Sequence, residues 1–404
     1  MRRAAAVEWW ALGLWTGSRL LVIFAATVAL GGLAALLGGL DAWQRWDATH
    51  LVEIAQYGYD GNPDQRFDPG LRGFLPGLPL LLHAVHYVIP NWTLAGLVIS
   101  LVASLVATLS LVRLGDAEGP HGTGPRAATF LLFSPWAVFL AAGYTEATFL
   151  AFALPAWLHA RRGRWGWAGL LAMCASTIRI TGLFLAIALI VMFVTQVVRE
   201  RRRQRSRRRR GRHATRHASP KDYALIPDRA GDRPAVAEVR RSPARALALV
   251  LPFLPLAAFT VYLWAKTGDW TAWLTAQEQG WGRTFTWPWE SLATTWENAM
   301  LPGENQLPFI FELIAAPVGV GLCLYLLLTR RLDELVYVGL QVGALLTSSY
   351  YLSVTRATLL WWPLWLLLGR LAMRRWWLLM AYLVVSVPAM GYMTARFVVG
   401  DWAG

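Results

Sequence analysis

The strongest constraint on this chain is a succession of apolar runs, each near the roughly 20 residues a helix needs to cross a hydrocarbon core, repeated through most of its 404 residues. In lipid every backbone polar group must be satisfied within the segment, so such runs are read as helices. The length rule gives spans near 9–37, 74–90, 92–113, 127–142, 144–160, 165–198, 246–265, 307–329, 334–352, 357–370 and 374–394, about eleven crossings. The expected fold class is an all-α integral membrane protein. With 56% of its residues hydrophobic, an ordinary soluble domain is excluded.

Three places depart from simple spans. The run 165–198 would be roughly 50 Å long as one helix, more than a bilayer needs, and a break is expected at Thr181-Gly182. Pro135 and Pro155 are expected to make 127–160 a pair of short, broken or re-entrant helices. The first span is too long for a cleaved signal peptide and is followed by no clean small-residue cleavage site, so it is read as a retained anchor. Cys174 and Cys323 both fall in apolar spans, which leaves no disulfide framework and no cysteine metal site.

The net charge of +14 is concentrated in one place. Residues 199–245 carry 16 Arg and one Lys against five acids, and the rest of the chain is nearly balanced. That segment reads as a disordered cytoplasmic linker lying on anionic lipid in preference to a nucleic-acid-binding arm. It divides the chain into an N-terminal transmembrane module (1–198) and a C-terminal one (246–404). By the positive-inside rule the linker, Arg2-Arg3, Arg330-Arg331 and Arg370 to Arg375 are cytoplasmic, and the loops 38–73 and 266–306 face outward. Arg161-Arg162-Gly163-Arg164 falls on the outer side by the same count, against the rule, and Asn91-Trp92-Thr93 falls on the inner side.

The outer loop 38–73 is the expected seat of chemistry. In RWDATHLVEIAQYGY, Leu51, Ile54 and Ala55 recur at helical spacing and Gly58 follows as a stop, so a short amphipathic helix is expected at the interface, with Trp43 and Trp46 as belt residues. Asp47 stands at its start, where helix cap and catalyst are equally consistent with the residue type. His50, three residues on, shares its face. Arg45 suits a snorkelling belt cation or a phosphate contact. Glu146 and Arg179 lie within apolar runs, where an ionisable group usually faces a partner or a cavity, and they are expected to pair or to serve a site. Arg356, in a polar break between spans, is either an interfacial anchor or a cation for an anionic ligand.

RWDATHLVEIAQYGYD followed by GFLPGLPLLL resembles the signature of the PIG-V-like mannosyltransferases. The resemblance continues in order through SPWAVFLAAGYTEATFLAF, with Tyr144-Thr145-Glu146, and ASTIRITGL, with Arg179 and Gly182; SVTRATLLWWPLWLLLG, with Arg356 and Pro363, is a fainter echo. These enzymes are C-type (GT-C) glycosyltransferases using polyprenyl-phosphate sugars. The resemblance implies a multi-pass GT-C fold whose extracytoplasmic loop bears interfacial helices. It also implies transfer of mannose from polyprenyl-phosphate-mannose to a glycolipid or glycan acceptor.

The family's donor is β-linked and its product α-linked, so an inverting single displacement is implied, with one carboxylate to receive the acceptor proton and cations to hold the phosphate. Carried onto this chain, the resemblance makes Asp47 the general base and Arg45, His50, Arg179 and Arg356 donor-phosphate or lipid-binding residues. Trp46, Tyr59, Tyr144 and Glu146 become supports. No cofactor is expected, and no metal: His83 and His86 have no trustworthy ligand spacing. Abundant Ala, Arg, Gly and Trp with few Lys suggest a bacterial source and a cell-envelope acceptor at the cytoplasmic membrane. Seven tryptophans between 264 and 296 suit the headgroup layer or sugar stacking. A multi-pass transporter or flippase is the competing class, and a non-catalytic scaffold a third; neither requires an acid-bearing helix after the first span.

Overall fold

The computed structural model describes residues 2–217, 246–304 and 306–403. Its regular structure is helical, and among the described residues the only strand-like pairing is a bridge between Phe285 and Ser348. Among the described residues five helices are long and apolar enough to cross a membrane: Glu8–Ala29, Trp92–Glu118, Thr181–Arg202, Gln306–Leu328 and Trp376–Val399. Shorter helices pack among them, notably Thr145–Arg161, Trp165–Ile178, Leu332–Leu346 and Trp362–Arg374. The core is centred on Thr145–Arg161, whose side chains are largely buried against Trp92–Glu118 and Trp165–Ile178.

Small residues let the backbones approach, as they do in membrane bundles. A Cβ on Gly124 would stand 2.1 Å from the Val112 carbonyl oxygen, and one on Gly115 2.6 Å from Gly124 Cα. The helices Trp92–Glu118 and Thr123–Leu132 therefore meet through glycine.

Not every expected span forms a single crossing helix. The stretch 74–90 forms only the ten-residue helix Gly77–His86, about 15 Å long and too short to cross. Its N-terminus abuts the C-terminal end of Trp165–Ile178, where a Cβ on Gly77 would lie 2.3 Å from Thr177 Oγ1. The run 165–198 does break, at Arg179-Ile180, and the next helix starts at Thr181. Gly182 makes that break compact, since a Cβ there would lie 2.4 Å from Ser176 Cα. Pro155 leaves Thr145–Arg161 continuous, whereas the chain around Pro135 is irregular and leads into a 3₁₀ turn at Ala137–Leu140.

Losing one crossing at 74–90 exchanges the ends of the helices that follow. Arg161 reaches Glu118 (2.8 Å) and Asp333 (2.7 Å), and Glu118 also takes Arg331 (2.7 Å) and Arg370 (3.2 Å). Arg161 thus lies at the same end as Arg331 and Arg370, not opposite them as expected, and its conflict with the positive-inside pattern disappears. Asn91-Trp92-Thr93 moves the other way: Thr93 Oγ1 donates to Gln44 Oε1 at 2.8 Å, which puts it at the end bearing the loop 38–73. The helix Thr181–His217 carries the start of the Arg-rich segment, and residues 218–245 of the expected linker lie outside the described residues.

The segment between Leu254–Thr267 and Gln306–Leu328 holds two helices, Ala272–Trp281 and Pro288–Met300. The second is inverted in its amphipathicity. It buries Ser291, Thr295 and Ala299 and exposes Trp289, Leu292, Trp296 and Met300. A large apolar face turned outward is the pattern of a helix lying at a lipid interface. Trp43, expected in the aromatic belt, is instead buried against Phe397, with ring centroids 6.3 Å apart.

Candidate active site

The helix Asp47–Tyr57 forms as its spacing predicts. Leu51, Ile54 and Ala55 are buried, and Gly58 ends it at φ 75°, a conformation costly for any residue with a Cβ. Its start is unusual. Asp47 is the first helical residue and makes no capping bond, and the residue before it, Trp46, sits at φ 43°. A non-glycine residue there carries strain of about 1–3 kcal/mol, so its surroundings must impose it. Tyr144 donates its hydroxyl to the Arg45 carbonyl (2.8 Å), Arg45 Nη2 donates to the Val398 carbonyl (2.9 Å), and the Trp46 ring meets Phe397 edge-on at 5.5 Å. These contacts pin the Arg45–Trp46 peptide and aim the Asp47 side chain into the bundle instead of back at its own amides. The capping reading of Asp47 is thereby set aside.

Asp47 Oδ2 accepts from Arg356 Nη2 at 2.7 Å. Arg356 Nε lies 2.8 Å from Glu146 Oε1, an ionic contact without hydrogen-bond alignment. Glu146 Oε1 also accepts from Arg179 Nη1 at 2.5 Å, and Arg179 Nη1 donates to Thr145 Oγ1 as well. Four residues from four separate stretches therefore form one chain, Asp47–Arg356–Glu146–Arg179. Glu146 is fully buried, while the Asp47 side chain keeps 16% of its surface exposed, so Asp47 is the accessible acid. Phe139 and Tyr144 present their rings to the Arg356 guanidinium, each at 5.3 Å. Burial alone would push the Asp47 pKa up. Arg356, with smaller contributions from Arg179 and His50, overcomes this and holds the carboxyl below its ordinary value.

Two residues that sequence reasoning missed complete the site. Glu312, fully buried on Gln306–Leu328, accepts from Val354 N (2.7 Å), Thr355 N (3.2 Å) and Thr355 Oγ1 (3.0 Å). It caps the short turn Val354–Ala357, whose entry residue Ser353 lies at φ 61°, and so fixes Arg356. Arg283, between the helices Ala272–Trp281 and Pro288–Met300, donates through Nη2 to the Leu352 carbonyl at 3.2 Å, and among the described residues its buried Nε has no hydrogen-bond partner. Glu312 could be suspected as an acid in an apolar run, but nothing local marks Arg283.

Not every expected site residue joins the centre. The Arg45 side chain turns to the carbonyl end of the last helix and acts as its cap. His50 Nε2 meets Asp68 Oδ2 at 2.8 Å and its Nδ1 meets the Trp46 carbonyl at 3.0 Å. Tyr59 braces the loop, donating to the Phe74 carbonyl at 2.9 Å and packing on Phe259 at 5.2 Å. Among the described residues no cluster of three or more His, Cys, Asp or Glu side chains could hold a metal ion.

Residues 33–210 match the family described as Mannosyltransferase (PIG-V). The chain is 38% identical over 154 residues to GPI alpha-1,6-mannosyltransferase 2 of Rattus norvegicus, a match covering 37% of this chain and 30% of that protein. It is 37% identical over 153 residues to the Mus musculus protein of the same description and 36% over 160 residues to the Homo sapiens one, with the same coverage. The matched part is less than a third of those relatives' length. The family match, residues 33–210, contains Asp47, Glu146 and Arg179, whereas Arg283 and Arg356 lie beyond it. Over that stretch the chain is PIG-V-like, as its motifs suggested.

Proposed function

We propose, taking that PIG-V-like character as the premise, that the chain is an inverting α-mannosyltransferase of the GT-C class. It takes mannose from polyprenyl-phosphate-mannose and delivers it to a glycolipid or glycan acceptor of the cell envelope. The observation that carries this reading is the ion chain itself, in which one accessible carboxylate, Asp47, stands beside the guanidinium groups of Arg356 and Arg179.

In the reaction the acceptor hydroxyl oxygen forms its bond to the anomeric carbon as the bond from that carbon to the phosphate oxygen breaks. The hydroxyl proton passes to Asp47, and the electron pair leaves with the lipid phosphate toward Arg356 and Arg179. The low basicity of Asp47 favours a late transfer: the carboxylate first orients the hydroxyl, then takes its proton once bond formation has made that proton acidic. Glu146 holds both arginines in place. The other carboxylate of the ion chain, Glu146, is fully buried against both arginines, which supports a single displacement with Asp47 as base.

The helix that starts at the site ends in the Arg-rich stretch at the other end of the bundle. Positive-inside logic then supports a site on the outer face of the cytoplasmic membrane. The test is incubation of membranes with radiolabelled polyprenyl-phosphate-mannose and an extracted lipid pool. Label should enter a lipid product from which α-mannosidase releases it. Absence of transfer, or a product resistant to α-mannosidase, would defeat the reading.

A further inference from the structure

We infer that Arg283 is a phosphate-binding residue of this site, contributing the third guanidinium and taking the anionic phosphate of a lipid-linked donor. The inference rests on the reading of the site as one for a lipid-phosphate sugar.

Residues 281–286 link Ala272–Trp281 to Pro288–Met300 and form a strap between the two halves of the site. On one side the strap is fastened to the segment leading to Arg356. Thr284 N donates to Ser349 Oγ (3.0 Å), Thr286 N to the Thr347 carbonyl (2.8 Å), and Tyr350 hydroxyl to the Trp281 carbonyl (3.3 Å). On the other side it is fastened to the Asp47 loop. The Trp281 ring stands edge-on to Phe74 at 5.3 Å and tilts against His50 at 6.2 Å. Arg283 therefore leaves a strap anchored to both the acid-bearing and the Arg356-bearing parts, and its side chain donates to Leu352, four residues before Arg356.

The local charge is unbalanced. Asp47 and Glu146 match the charges of Arg356 and Arg179, and Arg283 adds a cation that no carboxylate among the described residues contacts. Its buried Nε is a donor without an acceptor, a state that costs free energy until an acceptor arrives. Burial, then the positive charge of Arg356, pulls the Arg283 pKa below its ordinary value while Asp47 opposes them, so Arg283 lies within the field of the same centre. One excess positive charge is the complement of a phosphodiester monoanion, the charge state of a lipid-phosphate sugar, and a guanidinium fork suits phosphate oxygens. The neighbouring arginines are already committed to carboxylates, which leaves Arg283 to make the first contact with an entering phosphate.

The probe is farnesyl phosphate, with farnesol as its uncharged counterpart and inorganic phosphate as competitor, measured by binding to the full chain in detergent. The wild type should bind farnesyl phosphate at least about tenfold more tightly than farnesol. Arg283→Gln should weaken farnesyl phosphate binding by about ten- to a hundredfold, the range of a charge-assisted hydrogen bond, and leave farnesol binding unchanged. Arg283→Lys should recover part of the loss. Inorganic phosphate at equal concentration should not displace the lipid probe; displacement would overturn the lipid source. Unchanged farnesyl phosphate binding in Arg283→Gln would overturn the role of Arg283 while leaving the site intact. An equal loss for both lipids would mark the strap as merely structural and overturn it as well. A wild type that does not distinguish farnesyl phosphate from farnesol would remove both this inference and the reading beneath it.

Discussion

Replacing Glu146 by Gln tests whether the ion chain is a real structural unit. Glu146 is fully buried, and its Oε1 lies 2.5 Å from Arg179 Nη1 and 2.8 Å from Arg356 Nε. Gln keeps the shape and removes the charge, leaving two largely buried guanidinium groups with Asp47 as the one carboxylate left in the ion chain. Breaking a buried ion pair from one side costs about 3–5 kcal/mol, because the other charge is left uncompensated. Removing both charges, in Glu146→Gln/Arg179→Gln, should return at least half of that loss. The expected coupling is about 1.5–3 kcal/mol, the upper part of the range for contacting residues. The assay is denaturant titration in mixed micelles for the wild type, both single variants and the double variant. A loss below about 1 kcal/mol in Glu146→Gln, or a double variant whose loss is the sum of the singles, would refute the argument.

Glu312→Ala leaves the Val354 and Thr355 amides without their acceptor. At about 1–3 kcal/mol for each unsatisfied donor, a loss of about 2–6 kcal/mol is expected in the same titration, with Glu312→Gln losing clearly less; equal losses would contradict the capping role. Asp47 titrates at a depressed value in the folded chain, so the stability it contributes is present above its unfolded pKa of about 3.9 and is lost as pH falls through the folded value. Arg356→Gln removes the main depressing charge and leaves burial, so the acid limb of sugar transfer should move to higher pH; an unmoved limb in the rate profile would separate Asp47 from proton transfer. Gly124→Ala should destabilise by about 1–3 kcal/mol through overpacking, because the new Cβ meets the Val112 carbonyl oxygen at 2.1 Å, whereas Gly13→Ala, with nothing within 4 Å, should stay within about 0.5 kcal/mol.

The parts of the fold that depend on local periodicity were legible in the sequence. The helix Asp47–Tyr57, its glycine stop and the break after Ile178 follow from spacing and backbone preference, and Glu146 and Arg179 were recognisable as partners because isolated charges in apolar runs seek each other. The length of an apolar run was a poorer guide. Residues 74–90 are hydrophobic enough to span, yet Pro76 and the close contact at Gly77 start the helix late, and it ends at His86. The anomalous position of Arg161-Arg162 was the sequence's own sign of that error, since one crossing fewer puts those arginines with Glu118 and Arg331. What remained hidden is long-range: Arg356 is 309 residues from Asp47. Arg283 and Glu312 act only through contacts that packing creates, and Arg45, which the motif placed beside the acid, faces the end of the last helix.

Whether Asp47 receives the acceptor proton is decided by comparing transfer from radiolabelled polyprenyl-phosphate-mannose by the wild type and by Asp47→Asn. The variant protein should have the same detergent-solubilised size profile and should still bind farnesyl phosphate. Proton receipt by Asp47 requires a turnover lower by about 10²–10⁴-fold in the variant, the usual contribution of a positioned base. Wild-type transfer that survives unchanged in folded Asp47→Asn would contradict it.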